Sequence, residues 1–264
     1  MINNGISPNI VVFNSLIQGF CKCGRRDEVN HLFKQMVDSN ICPVVCTFNI
    51  LIDAYYKDRL MNNAEDTVKV MIQQGVQPDV FTYNTLMNEY CLQGNISSAS
   101  KVFDIMVDRG LLPDVITYCV LLKGFFKCGR QDEANHLLKQ MVDNNISPNL
   151  HSFNILIDAY CKDGLMKDVE DIVKVMIQRG LQLDVFTNST LMNGYCLQGN
   201  INTAIKVFDI MKDSGLEPNV ITYSVLLKGF FKCGMRDKAN HLLKQMVDNN
   251  ISPNLHTFNI LIDG

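Results

Sequence analysis

The chain has no long apolar run and no strong charge of either sign. Its longest apolar segments, such as YCVLL at Tyr118–Leu122, are far too short to span a bilayer, so no membrane association is expected. The net charge of −3 argues against a protein that is basic throughout, although charge confined to one face stays open. The opening residues, MINNGISPNIVVFNS, lack the features of a secretory signal or an organelle transit peptide. No targeting segment is therefore expected within this chain.

The sequence also lacks the spacings that mark metal sites and catalytic centres. None of its ten cysteines forms a CxxC pair, and no His or Cys partner recurs at zinc spacing, so neither a metal nor a cofactor is expected. No nucleophile motif, glycine-rich phosphate loop or deaminase signature is present. These absences predict a non-catalytic protein that has no small-molecule substrate.

The sequence contains an internal duplication. The 18 residues ANHLLKQMVDNNISPNLH occur at Ala134–His151 and again at Ala239–His256, 105 residues apart. The prolines reveal a shorter period, because all seven lie at multiples of 35 residues from one another, and Leu183 takes the one missing place. The chain is therefore predicted to be a single array of seven complete repeats, at residues 10–44, 45–79, 80–114, 115–149, 150–184, 185–219 and 220–254, with partial repeats at 1–9 and 255–264.

Each repeat carries the pattern of two helices. Apolar residues in the first half recur at i, i+3, i+4 and i+7, which predicts an amphipathic helix; the second repeat has Phe48, Leu51, Ile52 and Tyr55. The second half ends its own apolar stripe in methionine at Met36, Met71, Met106, Met141, Met176, Met211 and Met246. Glycine separates most halves, and the Asp, Asn or Ser beyond it, such as Asp27 and Asn62, is predicted to cap the second helix. The predicted fold is all-α, a solenoid of stacked helical hairpins.

Four cysteines occupy one position of the repeat where other copies carry Tyr56, Phe126 and Phe231. Exchange with aromatic residues predicts that this position packs in a core, which suits a reduced thiol. The cysteines at this position are Cys21, Cys91, Cys161 and Cys196.

The repeats resemble the pentatricopeptide repeat family in its P-type form. A hairpin of 34 residues would indicate the tetratricopeptide repeat, but this period is 35 and the chain has no tryptophan. Each unit opens like VITYCVLLKGFFKCGR and ends in Pro-Asp or Pro-Asn in most copies. The resemblance covers essentially the whole chain. It implies a right-handed α-solenoid that binds single-stranded RNA, one base per repeat.

The duplicated triplets of repeats also look like those of fertility-restorer-type members of the family. That likeness implies a plant protein that acts on organellar RNA, in processing, stability or translation. It favours the mitochondrion over the chloroplast and admits an RNA-processing protein as a second partner.

In the family, the fifth and last residues of each repeat read the base together. Asn with Asp favours uracil, and Ser with Asn favours adenine. The resemblance therefore implies uracil for Asn49/Asp79, Asn84/Asp114 and Asn154/Asp184, and adenine for Ser189/Asn219 and Ser224/Asn254. The pairs Asn14/Val44 and Cys119/Asn149 leave the base undetermined. The predicted RNA is 5′-N-U-U-N-U-A-A-3′. From the residues alone, the alternative interpretation of the polar fifth positions is a solvated helix face.

Two further rows accompany these pairs. The second position sandwiches the base in the family and is occupied here by Val11, Cys46, Phe81, Ile116, His151, Phe186 and Ile221. The thirteenth position is predicted to contact phosphates through Lys22, Lys57, Lys127, Lys162 and Lys232. The alternative for these lysines is a solubilising role at a helix end, where they favour the helix dipole.

A second function remains open from the sequence. A solenoid of this kind could bind a protein partner in its groove, without any preference for a base. That interpretation predicts binding that tolerates salt, whereas RNA binding should weaken steeply as salt rises.

Overall fold

The computed structural model describes residues 8–263, so residues 1–7 of the first partial repeat lie outside the described residues. The described residues form α-helices and no strands, which confirms the all-α prediction. Two compact units divide the chain at Gln140/Met141. The first contains α1 Ile10–Lys22, α2 Arg26–Asp38, α3 Val45–Lys57, α4 Met61–Gln73, α5 Val80–Leu92, α6 Ile96–Asp108, α7 Val115–Lys127 and most of α8 Gln131–Asp143. The second contains α9 Leu150–Lys162, α10 Met166–Gln178, α11 Val185–Leu197, α12 Ile201–Asp213, α13 Val220–Lys232, α14 Arg236–Asp248 and α15 Leu255–Asp263.

Each complete repeat contributes two helices, and the first helices pack on one another within each unit. In the first unit α3 contacts both α1 and α5, and α5 contacts α7. In the second unit α11 contacts α9 and α13, and α13 contacts α15. Every hairpin has apolar residues on two sides, so each needs neighbours to bury them. This stacking is the predicted solenoid arrangement within each unit.

The predicted core residues lie in the core. Phe48, Leu51 and Ile52 of α3 are buried, and Tyr55 is half-buried. The methionine that ends each second-helix stripe is fully buried or nearly so in every complete repeat, at Met36, Met71, Met106, Met141, Met176, Met211 and Met246. Unbranched methionine fills irregular gaps between stacked hairpins well.

The second helices begin two residues earlier than the sequence pattern suggested. Asp27 lies in the first turn of α2, whose N-cap is Arg25, and Asn62 lies inside α4. The reason is the turn before them, because a left-handed residue such as Gly24, with φ of 68°, reverses the chain in a single step. In the first turn Asp27 still faces the positive end of the helix dipole.

Three departures from the repeat pattern leave the helices intact. Arg59 takes the left-handed conformation that glycine adopts in the other repeats, with φ of 60°. Leu183 is half-buried before α11, which still begins at Val185. Asn188 replaces a core aromatic residue and is buried, and its amide nitrogen donates to the Asp184 carbonyl at 2.9 Å. Its amide nitrogen is therefore satisfied at the N-cap of its own helix.

Glycines inside three of the first helices pack directly against cysteines of the preceding repeat. A Cβ on Gly124, Gly194 or Gly229 would lie within 3.0 Å of a cysteine Sγ, which real Cβ atoms essentially never do. The facing cysteines are Cys91, Cys161 and Cys196, all buried, whereas Cys21 is half-buried. Burial raises the pKa of Cys161 to about 12 and that of Cys91 to about 11, so these thiols stay protonated. The prediction of core thiols is confirmed at the three buried positions.

We expect Gly124→Ala to lower the free energy of unfolding by about 1–3 kcal/mol, because the added methyl overpacks against Cys91. The control is Gly19→Ala, since a Cβ there meets nothing within 4 Å. That change should raise stability by about 0.5–1 kcal/mol through helix propensity alone. Urea denaturation of the two variants measures both values. Equal stabilisation by both substitutions would contradict the packing account.

Candidate nucleic-acid interface

The last residue of each repeat is the N-cap of the first helix that follows. Asp79 caps α5, and its Oδ1 accepts from the backbone N–H of Thr82 at 2.8 Å. Asp114 does the same for α7, again at 2.8 Å from the N–H of Thr117. Such a cap satisfies one of the free N–H groups at a helix start and fixes the side chain that provides it. The same role falls to Asn149, Asp184, Asn219 and Asn254.

The fifth residue of a repeat meets this cap although the two lie 30 residues apart in sequence. The Asn49 amide nitrogen donates to Asp79 Oδ1 at 3.2 Å, and the Asn84 amide nitrogen approaches Asp114 Oδ1 at 3.4 Å. Both pairs were predicted to read uracil. Whether they do so stays a prediction, but the folded chain brings their polar groups together without a ligand.

A hydroxyl also lies between the two positions at several pairs, and the sequence interpretation missed it. Thr187 Oγ1 lies 2.7 Å from both Asn154 Oδ1 and Asp184 Oδ1. Ser189 Oγ lies 3.3 Å from Thr222 Oγ1, which in turn lies 3.0 Å from Asn219 Oδ1. The signal was present, because Asp or Asn precedes this hydroxyl by three residues, and in α5 Asp79 and Thr82 cap the helix start reciprocally. The hydroxyl residues are Thr47, Thr82, Thr117, Ser152, Thr187, Thr222 and Thr257.

The fifth positions are more buried than a solvated helix face would be. Asn14 and Asn49 are half-buried, and the later members are buried, namely Asn84, Cys119, Asn154, Ser189 and Ser224. Polar groups removed from water need hydrogen-bond partners, and the caps and hydroxyls described above supply most of them. The alternative of a simple solvated face is therefore wrong at these buried positions.

Hydrogen bonds hold two of the cap carboxyls in the charged form. Burial alone would raise the pKa of Asp79, but the hydrogen bonds it accepts, among them those from the Thr82 N–H and the Asn49 amide, outweigh burial and lower that pKa. The pKa of Asp114 is lowered in the same way, against burial, by its bonds from Thr117 and Asn84. Both groups are acceptors near neutral pH.

The second-position side chains are exposed at the starts of the first helices in each unit, and most of them are apolar. Val11, Phe81, Ile116, Phe186 and Ile221 each expose between 57% and 65% of their surface, and Cys46 and His151 are also exposed. Apolar groups exposed at one repeat position, beside paired polar groups, suit contact with the faces of bases. The sandwiching role itself stays a prediction.

Two of the thirteenth-position lysines form ion pairs on their own helix. Lys57 pairs with Asp53 one turn earlier, and Lys162 pairs with Asp158 at 2.6 Å. These side chains are exposed, so each pair contributes little to stability. A phosphate could therefore replace the carboxylate at small cost.

Two other lysines of the row cap the preceding first helix. Lys127 Nζ donates to the Leu92 carbonyl at 2.6 Å, and Lys232 Nζ donates to the Leu197 carbonyl at 3.0 Å. Leu92 and Leu197 end α5 and α11, where free carbonyls form the negative end of the dipole. In the absence of RNA, these two lysines therefore have the alternative role, at a helix end. Phosphate contact stays a prediction.

One cavity in the first unit is lined by residues of all three predicted sets, namely the fifth/last pairs, the second positions and the thirteenth-position lysines. Its volume is about 560 Å³. It is lined, among others, by the pair Asn49 and Asp79, by the second-position side chains Cys46 and Phe81, and by Lys22 and Lys57. This volume lies within the range of small-ligand sites, and the lining combines apolar faces with a donor, an acceptor and cations. Such a lining fits a nucleotide.

Neither a membrane span nor a metal site emerges in the part of the chain that the structure describes. No helix there has both the length and the apolar character to cross a bilayer. No group of three or more His, Cys, Asp or Glu side chains between residues 8 and 263 is placed to hold a metal ion.

Comparison with known families finds matches along the chain. The PPR repeat family matches at residues 43–91, 78–127, 120–162, 148–197, 184–232 and 226–264, and the Pentatricopeptide repeat domain matches at residues 1–58. The search of curated proteins found no match.

Solved structures share the fold. PPR10, a pentatricopeptide repeat protein from maize, in complex with an 18-nt psaJ RNA element, matches 100% of this chain at 22% identity with a TM-score of 0.68. The chain spans 44% of that protein's length. The PPR domain of Arabidopsis thaliana protein-only RNase P 1, in complex with tRNA, matches 67% of this chain and 93% of its own, at 20% identity with a TM-score of 0.53.

We expect the cap carboxyls to make stability depend on acid pH. Because the pKa of Asp79 and of Asp114 lies below its ordinary value of 3.8, both stabilise the fold above that pH, and the contribution is lost as pH falls through the folded pKa. The double variant Asp79→Asn, Asp114→Asn keeps a cap acceptor but cannot titrate. Its free energy of unfolding should fall less between about pH 5 and about pH 2. An equal fall in both chains would show that these carboxyls are not coupled to folding.

Proposed function

The chain belongs to the pentatricopeptide repeat family, and on that premise we propose that it binds single-stranded RNA and reads about one base per repeat. The observation that carries this proposal is the meeting of fifth and last residues beside exposed apolar side chains at the second positions. A base placed on an apolar face at that point has its hydrogen-bonding edge within reach of the pair. The cavity around Asn49 and Asp79 offers the room for one.

The Asn/Asp pair has the chemistry to select uracil. The Asp79 carboxylate can only accept, and the Asn49 amide nitrogen donates to it at 3.2 Å. The pair then offers the base a remaining amide N–H and a carboxylate oxygen. Uracil presents carbonyl acceptors beside its N3–H donor, which matches both groups. Cytosine presents a lone pair at N3, which would face the carboxylate and be repelled.

The Ser/Asn pair offers the reverse arrangement. Asn219 Oδ1 accepts from the backbone N–H groups of Ile221 at 3.0 Å and Thr222 at 3.1 Å, so its amide N–H groups turn away from the helix. Ser189 donates its proton to the Val185 carbonyl at 2.7 Å and keeps lone pairs free to accept. Adenine presents an N6–H donor beside the N1 acceptor, which fits an accepting serine and a donating asparagine.

The reading from repeat to repeat gives the RNA 5′-N-U-U-N-U-A-A-3′ as the preferred site. The protein acts without catalysing a reaction and works in organellar RNA processing, stability or translation, in a mitochondrion rather than a chloroplast. Bound to its site, it would shield RNA from exonucleases or recruit an RNA-processing protein. Family membership supports these roles, and the two solved relatives described above are themselves RNA complexes.

Binding to labelled RNA tests the reading directly. We expect RNA with U-U-A-U-A-A behind one 5′ nucleotide to bind more tightly than the same RNA with U and A exchanged. The double variant Ser189→Asn, Asn219→Asp should reverse the preference at the sixth base from A to U, by about tenfold, or ~1.4 kcal/mol. Fluorescence anisotropy near physiological salt measures each dissociation constant. Equal binding to all these RNAs would refute base reading and favour a protein partner instead.

We expect Lys57→Ala to weaken binding to every RNA by a similar factor, because a phosphate contact carries no base information. The slope of log affinity against log salt should become shallower by about 0.7 for one lost contact with a single strand. The matched control is Lys69→Ala, whose lysine pairs with Asp66 on α4 at 2.8 Å and is absent from the predicted phosphate row. An unchanged salt slope in Lys57→Ala would remove this lysine from the interface.

A further inference from the structure

At five places a hydroxyl at the third position of a first helix lies within 3.3 Å of the fifth residue of the preceding repeat. In α3, α5, α7, α9, α11, α13 and α15 this residue is Thr or Ser, with no exposed surface: Thr47, Thr82, Thr117, Ser152, Thr187, Thr222 and Thr257. A hydroxyl buried this fully needs hydrogen bonds, and the helix cap alone uses only part of its capacity.

Thr82, in the third repeat, has one hydroxyl proton and two possible acceptors at the Asn49/Asp79 pair of the second repeat. Thr82 Oγ1 accepts from the Asp79 backbone N–H at 3.2 Å and lies 2.6 Å from Asn49 Oδ1 and 2.8 Å from Asp79 Oδ1. A hydroxyl has one proton, and Asp79 Oδ1 already accepts from the Thr82 N–H and from Asn49. We therefore assign the hydroxyl proton to Asn49 Oδ1, which is the nearer acceptor at 2.6 Å.

This bond does not need the carboxylate. In the first repeat the last residue is Val44, which has no polar side chain, yet Thr47 Oγ1 still lies 2.9 Å from Asn14 Oδ1. In the fifth repeat Thr187 Oγ1 approaches Asn154 Oδ1 at 2.7 Å. The hydroxyl therefore lies within hydrogen-bond distance of the asparagine Oδ1 at three pairs, although Thr187 Oγ1 is equally close to Asp184 Oδ1.

The third repeat lacks this bond. Thr117 Oγ1 lies 2.9 Å from Asp114 Oδ1, and Asn84 Oδ1 is buried with no hydrogen-bond partner. The longer separation of 3.4 Å between Asn84 and Asp114 accompanies this difference. Two repeats with the same Asn, Asp and Thr thus differ in whether the hydroxyl reaches the amide.

We propose that the Thr or Ser at the third position is a positioning residue. Its hydroxyl sets whether the asparagine of the preceding repeat presents its amide N–H or its amide oxygen to the base. The inference rests on the proposed RNA binding. With Oδ1 held inward by Thr82, Asn49 offers only N–H to the base, which favours a uracil carbonyl over the amino group of cytosine. Base choice in the second repeat thus depends on a residue of the third.

Single-base changes in the RNA test this placement. We expect Thr82→Val to reduce the preference for U over C at the second base by about tenfold and to leave the preference at the third base unchanged. Thr82→Ser should keep the preference, since it keeps the hydroxyl. The matched control is Thr117→Val, which removes an equally buried capping hydroxyl that does not reach Asn84. It should leave the preference at the third base as it was.

The outcomes separate positioning from general stability. Loss of affinity for all RNAs alike in Thr82→Val, or loss of preference at the third base in Thr117→Val, would overturn the inference. If Thr82→Val does not fold by circular dichroism, Thr187→Val provides the same test at the fifth base through Asn154. If the unmodified chain binds RNA without any base preference, the proposed function itself fails, and the inference fails with it.

Discussion

The hydrogen bond from a helix-start N–H to the last side chain of the preceding repeat is the interaction on which the candidate site depends. It satisfies a backbone donor that no helical partner can reach, and it also immobilises an Asp or Asn side chain. In α5 and α7 that side chain then lies beside the fifth residue of the previous repeat. The same bond therefore begins a helix and prepares a recognition pair.

Burial restricts the conformations that the fifth and last side chains can adopt. The fifth positions are half-buried or buried, so an amide or hydroxyl there must find a protein partner or cost about 1–3 kcal/mol. The third-position hydroxyls supply that partner for Asn14, Asn49 and Asn154. Asn84 Oδ1 is the exception, because its neighbouring hydroxyl turns to the carboxylate instead. A site with few rotational choices loses little entropy when a base arrives.

The sequence allowed much of the fold to be predicted, because period and hydrophobic spacing are local signals that each repeat restates. The methionine row and the first-helix stripe lie in the core as predicted. The predicted start of the second helices was wrong by two residues. Asp27 suits the first turn of a helix as well as its N-cap, and residue type alone cannot separate these two positions. The partnership of Gly124 with Cys91 was also invisible, since it joins neighbouring repeats in space.

The sequence by itself determined the repeat, its all-α class and the residue types at the fifth, last and second positions. These follow from spacing, which needs no knowledge of distant contacts. The tertiary structure alone decided which polar groups meet, since Asn49 and Asp79 are 30 residues apart and only stacked helices join them. It also decided that Thr82 reaches its asparagine whereas Thr117 does not. Both pairs have the same residue types, Asn, Asp and Thr, so residue types alone do not separate the two arrangements.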